Sequence, residues 1–229
     1  MMFFDPTFII LLPAIILSAW AQMRVSTTFN KYSGVMSRSG MTGAQVAQAI
    51  LKKNNILDVR IEPVRGNLTD HYDPRDKVLR LSDSVYGKTS LAALGVAAHE
   101  VGHAIQHDED YSPLRVRSAL VPIVQFGNYG SWIILIVGIL FSSPMLVKVG
   151  IGLFVAVVAF QLITLPVEFN ASSRAMVQLE TGGYLTTDEI AGSKKVLSAA
   201  AMTYVAAAIM AIAQLLRLLV IAGVFRRDE

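Results

Sequence analysis

The chain has no cysteine. Disulfides, thiol catalysis and cysteine-ligated metal sites are therefore excluded, and any metal must be held by His, Asp or Glu. Charge is scarce as well. Asp, Glu, Lys and Arg make up 16% of the 229 residues, against roughly 25% in an average soluble protein. Hydrophobic residues make up 53%, and that imbalance points to membrane spans. The net charge is only +3, with basic residues scattered and not interleaved with aromatics, so the footprint of a nucleic-acid binder is missing. The chain also lacks an internal repeat, a low-complexity tract and a basic start: Met1 to Pro6 carry Asp5 but no Lys or Arg. Ala19-Trp20-Ala21 resembles a signal-cleavage site. Without a positive region ahead of it, the apolar stretch 7–23 reads as an uncleaved anchor.

Three further apolar stretches follow, at 121–141, 145–165 and 201–225, and Ser142-Ser143-Pro144 forms a tight turn between the first two. Arg217 in the last stretch is about 12 Å by helical rise from Phe225, so its head can snorkel to the interface. The polar segment between the first and second stretches has its own pattern. Thr42 can cap a helix with Ala44, Val46, Ala47, Ile50 and Leu51 on one face, ending near Lys53-Asn54-Asn55. Partial alternation predicts strands at 58–61 and 77–82, paired as a hairpin across a turn-rich loop at 66–74. The expectation is a mostly α membrane protein with about four transmembrane helices and a small α+β domain. Its segments are an anchor at 1–23, a catalytic segment at 24–120, a transmembrane hairpin at 121–165, a second polar helical segment at 166–200, and a last span at 201–229.

An apolar run beginning near Ser90 contains His99-Glu100-Val101-Gly102-His103, an HExxH pattern, and ends at Asp108-Glu109-Asp110. With four histidines and seven glutamates in the chain, that pattern arises by chance roughly 0.002 times per chain. On a helix, positions four apart lie one above the other. His99 and His103 can therefore grip one metal ion through neutral imidazole nitrogens, and Glu100, one residue round, can take a proton from the attacking water. A catalytic zinc needs three protein ligands. His107 would complete an i, i+4, i+8 ladder, but it stands about 11–12 Å from His99 along a straight helix, too far to share one ion. It reads instead as a helix-end residue bonded to last-turn carbonyls. Asp108, Glu109 and Asp110 are a turn or more from His103. Glu168, after Leu165-Pro166-Val167, is the better candidate. Two spans lie between the segments holding His99 and Glu168, and an even number returns the chain to the same membrane face.

The stretch Leu94 to Gln106, with Leu165-Pro166-Val167-Glu168-Phe169-Asn170-Ala171-Ser172, Leu68-Thr69-Asp70-His71-Tyr72-Asp73-Pro74 and Leu120-Val121-Pro122, resembles the YugP-type neutral zinc metallopeptidases of bacterial membranes. The resemblance runs from about Met41 to the last span. It implies that His99, His103 and Glu168 bind zinc and that Glu100 is the general base, on a gluzincin-like plan. The family often has aspartate where this chain has Asn170. If that group orients a zinc-binding histidine, an amide can accept the hydrogen bond but adds no charge.

The expected function is a membrane-embedded zinc endopeptidase acting on protein or peptide substrates that are themselves membrane-associated. His71 and Tyr72, in the loop between the strands, could donate to a tetrahedral oxyanion, or could simply form a surface turn. The free edge of the strand at 77–82 could pair with an extended substrate. The site is expected within about 10–15 Å of the bilayer surface. Near the spans its side carries Arg24, Lys31, Arg115, Arg117, Arg174, Lys194 and Lys195, while the other side has Lys148, Arg226 and Arg227. That asymmetry puts the site on the cytoplasmic side of a multi-pass bacterial plasma-membrane protein, with the N-terminus outside. The alternatives are a non-catalytic zinc-bearing membrane scaffold, which has no need of Glu100, and a transporter. Few polar residues are available to line a transport path.

Overall fold

The computed structural model describes residues 6–223. Asp5, Phe225 at the end of the fourth apolar stretch, and the Arg226 and Arg227 of the charge asymmetry lie outside the described residues, as does the side chain of Asn128. A 3-10 turn at Pro6–Leu11 leads into α1 (Leu12–Ser33). Then come α2 (Gly43–Lys53), β1 (Arg60–Val64), β2 (His71–Asp73), β3 (Val78–Ser82), α3 (Leu91–Asp108), α4 (Ser112–Leu140), α5 (Pro144–Thr181) and α6 (Thr187–Ile221). Four helices, at Pro6–Ser33, Ser112–Leu140, Pro144–Thr181 and Thr187–Ile221, are long and apolar enough to cross a membrane. The expected mostly α membrane protein with a small α+β part is what the chain forms.

The chain divides into two units. One takes the chain up to Ala21, Val116–Leu165 and the chain from Thr203; the other takes Gln22–Arg115 and Pro166–Met202. In the first unit Leu135, Phe154, Val158, Ala211 and Leu218 form a small core, with Trp132 set edge-on to Phe154. Many of its other large apolar side chains face outward: Phe126 is 81% exposed and Leu140 75%. In water such a surface would be a liability, whereas hydrocarbon is its natural solvent. Arg217 donates from Nε to Thr7 Oγ1 at 3.2 Å and lies over the Phe8 ring, so its head is held at the start of the first apolar helix.

The second unit is built on one buried cluster. α2 is capped by Thr42 as expected, and the structure completes a capping box: Thr42 Oγ1 accepts from Gln45 N–H, and Gln45 Oε1 accepts from Thr42 N–H. Its Val46, Ile50 and Leu51 are fully buried against α3 and the sheet, each worth about 1.5–3 kcal/mol of burial. Ser90 caps α3 by accepting from Ala93 N–H, and α3 buries Leu94, Ala97, Ala98 and Val101 in the same cluster. Small residues along α3 let its neighbours come close. Ser193 of α6 donates to the Leu91 carbonyl at 2.7 Å.

The sheet departs from the expected hairpin. Its order is β1-β3-β2, with β1 parallel and β2 antiparallel to β3. The segment between β1 and β3 is too long for a tight turn, and it contributes β2 from within the stretch read as loop. Ser82 closes that arrangement by donating its N–H and hydroxyl to the Asp70 carboxylate at 2.7 and 2.9 Å. β3 is thus the central strand, and its edges are occupied by backbone of this chain. The strand at 77–82 has no free edge for a substrate; β1 and β2 are the edge strands.

Candidate active site

His99 and His103 lie on one face of α3, as four-residue spacing requires. Glu168 comes from α5. The helical stretch expected to begin there is the continuation of α5, which runs through Pro166 without a break. Glu168 Oε2 lies 3.3 Å from His99 Nε2 and 3.5 Å from His103 Nε2. Glu168 is 2% exposed. These three are the group of His, Asp and Glu side chains, among the described residues, whose donor atoms all lie within 4.8 Å of one another.

One residue in the motif makes this approach possible. A Cβ added to Gly102 would sit 2.5 Å from the Ala171 carbonyl oxygen of α5, closer than real Cβ contacts allow. The glycine of HEVGH therefore lets α5 pass close enough to α3 for Glu168, three residues before Ala171, to reach the two imidazoles. Gly102→Ala is expected to push the helices apart by about half an ångström or more and to weaken metal binding about tenfold or more, measurable by competition with a chelator.

Both imidazoles present Nε2 to Glu168 because their other nitrogens are engaged. His103 Nδ1 meets Gln106 Oε1 at 3.0 Å, and His99 Nδ1 meets Ser172 Oγ at 3.1 Å. The donor set fits a zinc ion on its spacing as well as its chemistry. Ligands about 2.0–2.1 Å from a tetrahedral zinc stand about 3.3–3.4 Å from one another, close to the 3.3 and 3.5 Å that separate the Glu168 oxygen from the two nitrogens. The field points the same way. Burial disfavours charge on His103, yet its contacts with the Glu168 carboxylate outweigh that and raise its pKa. A site that draws a proton this way also favours a metal cation.

Glu100 is buried beside the pair, 8% exposed. Burial pushes its carboxyl above the ordinary carboxylate range. The His99 and His103 rings pull it down, and the Asp70 and Glu168 carboxylates push it up again. Asp70 itself is raised by burial, against the hydrogen bonds from Ser82.

His71 and Tyr72 lie in a strand, β2, not in a loop between the strands. His71 is exposed, its Nδ1 2.9 Å from the Thr69 carbonyl. Tyr72 Oη is 2.8 Å from His107 Nδ1, at the end of α3, and burial with the surrounding aspartates pushes its phenol up to about 12. His107 therefore anchors the edge strand to the helix, which is a more specific task than bonding last-turn carbonyls. Asn170 does not touch either histidine. It sits one link behind, bonded to Gln106. Sequence reasoning passed over Gln106 and Ser172. The signals were there: Gln106 is a lone amide three residues after His103 in an apolar helix, and Ser172 is one turn beyond Glu168.

Residues 7–223 match a family described as "putative neutral zinc metallopeptidase". The chain is 51% identical over 205 residues to the "putative membrane protease YugP" of Bacillus subtilis (strain 168), a match covering 90% of this chain and 91% of that protein. No solved structure matches. With a His-His-Glu cluster that could hold a metal ion and a match over nearly its whole length, this chain belongs to the family of putative neutral zinc metallopeptidases.

Proposed function

We propose that the chain is a membrane-embedded zinc endopeptidase, with His99, His103 and Glu168 as zinc ligands and Glu100 as general base. One observation carries this reading: two Nε2 atoms from α3 and a buried carboxylate oxygen from α5 converge at metal-ligand spacing, with a second buried carboxylate next to them in the same motif. A zinc ion held there supplies Lewis acidity, polarising a scissile carbonyl and lowering the pKa of water toward about 7.

The chain's own residues supply the rest. Glu100, its basicity raised by burial, removes a proton from the attacking water and later hands it to the leaving amine nitrogen. Gln106 and Ser172 hold the imidazole rings in place. An extended substrate segment needs a free strand edge, and β2 offers one, tied to α3 through Tyr72 and His107. Its short length supports few backbone hydrogen bonds, which suits loose sequence preference. His71 and Tyr72 then act as part of that edge, with Tyr72 engaged by His107.

Glu168 follows the apolar part of α5 by three residues, counted from Leu165. This supports cleavage close to the bilayer surface, of juxtamembrane segments or loops of membrane-associated proteins. The relative named as a membrane protease favours the same setting. The basic residues at 24, 31, 115, 117, 174, 194 and 195 support a cytoplasmic active site in a bacterial plasma membrane. Nucleic acid is not a partner in this reading.

The test uses full-length protein in detergent with β-casein as probe. Cleavage is expected to stop with a zinc chelator and to return when zinc is restored. Cleavage that continues in the chelator would sink the proposal.

A further inference from the structure

Behind the metal donors, a line of hydrogen bonds runs from His103 toward the protein surface. Gln106 is fully buried. Its Oε1 faces His103 Nδ1 at 3.0 Å, and its Nε2 donates to the Val167 carbonyl at 2.8 Å and to Asn170 Oδ1 at 2.9 Å. Asn170 Oδ1 also accepts from Arg174 Nε at 2.7 Å. Arg174 is anchored in turn by Glu109, Nη1 to Oε2 at 2.7 Å, and lies over the Tyr111 ring.

Each link sets the polarity of the next. Arg Nε can only donate, so Asn170 must turn its oxygen toward it. The same oxygen faces Gln106, which must answer with its NH2, as the Val167 carbonyl also demands. Only the Gln106 oxygen is left for His103. His103 Nδ1 therefore carries the proton, and the lone pair on Nε2 points at Glu168. If the two amides were to flip, Gln106 would give up its bond to the Val167 carbonyl, offer N–H to His103 and select the opposite tautomer, with a proton on Nε2 where the metal must bind. His99 is under no such constraint, because the Ser172 hydroxyl can donate or accept.

From this asymmetry we infer that Arg174, anchored by Glu109 and acting through Asn170 and Gln106 alongside the Val167 carbonyl, is a positioning residue that helps hold His103 in its metal-ligating tautomer. The inference rests on the zinc reading above. Buried polar lines of this kind hold a single geometry only when every member is satisfied. Here both Gln106 N–H groups are used, and the Asn170 oxygen accepts twice.

The experiment is a zinc dissociation constant for the full-length protein in detergent, by competition with a chromophoric chelator, beside the melting temperature of the metal-free protein. Gln106→Met should weaken zinc about 10–100-fold, and Arg174→Met about tenfold, the low end of the range for groups behind a metal ligand. Adding Arg174→Met to Gln106→Met should cost nothing further, since both act through one imidazole. The decisive variant is Asn170→Asp in the Arg174→Met background. A carboxylate can only accept, so it imposes the required polarity on Gln106 without Arg174. Affinity should return to within about threefold of wild type, which a packing role for Arg174 would not produce. Wild-type affinity in Arg174→Met, a lowered melting temperature with unchanged affinity, or no recovery on adding Asn170→Asp would overturn the inference while leaving the zinc site intact. A wild-type protein that binds no zinc would overturn the zinc reading, and the inference with it.

Discussion

Glu168→Ala is expected to empty the site: about one zinc per chain in the wild type, close to none in the variant, measured by metal analysis of detergent-purified protein. Two histidines one turn apart on a single helix leave an ion with half of a tetrahedral shell. Among the described residues, the carboxylate brought within 3.3 and 3.5 Å of their Nε2 atoms is the one removed. The replacement is unlike a surface charge change, because Glu168 is buried near the close approach of α5 to Gly102. Full zinc retention would mean that another group completes the site. His107 is a poor substitute, since it stands about 11–12 Å from His99 along the helix and its ring is held by Tyr72 Oη at 2.8 Å, and His71 is exposed on β2.

Glu100→Gln separates chemistry from binding. The amide has the shape of the carboxylate but cannot take a proton from water, so proteolysis should fall by about 10²–10⁴-fold or more. Zinc content should stay at the wild-type level, because Glu100 is not among the converging donors. Equal loss of zinc and activity would show that Glu100 supports the metal rather than the reaction. Undiminished cleavage would remove its role as base. A zinc-bearing scaffold would keep its function in this variant, so the same protein also tests the non-catalytic alternative.

Much of the architecture was legible from local chemistry. Apolar stretches of spanning length, the Thr42-to-Gln45 capping box and the Ser90-capped helix each depend on residues close together in the chain, and each appears where those residues stand. The His99 and His103 pair is equally local, since helical geometry alone aligns residues four apart. Glu168 was reached by counting spans, a topological inference that needs no coordinates.

The rest depended on partners distant in sequence. The three residues of β2 have no strand pattern of their own, and they become a strand because β3 offers an edge and Asp70 binds Ser82. That pairing made β3 central and removed the substrate edge expected there. Tyr72 was drawn to His107, 35 positions away. The tautomer of His103 follows from Arg174, Asn170 and Gln106, whose amide orientations are undefined until α5 lies against α3. Helix period, capping and hydropathy act over a few residues, so the chain carries its spans, caps and paired histidines in plain order. Strand neighbours, the polarity of buried amides and the closeness that Gly102 permits arise from contacts between distant segments, and only packing brings those into being.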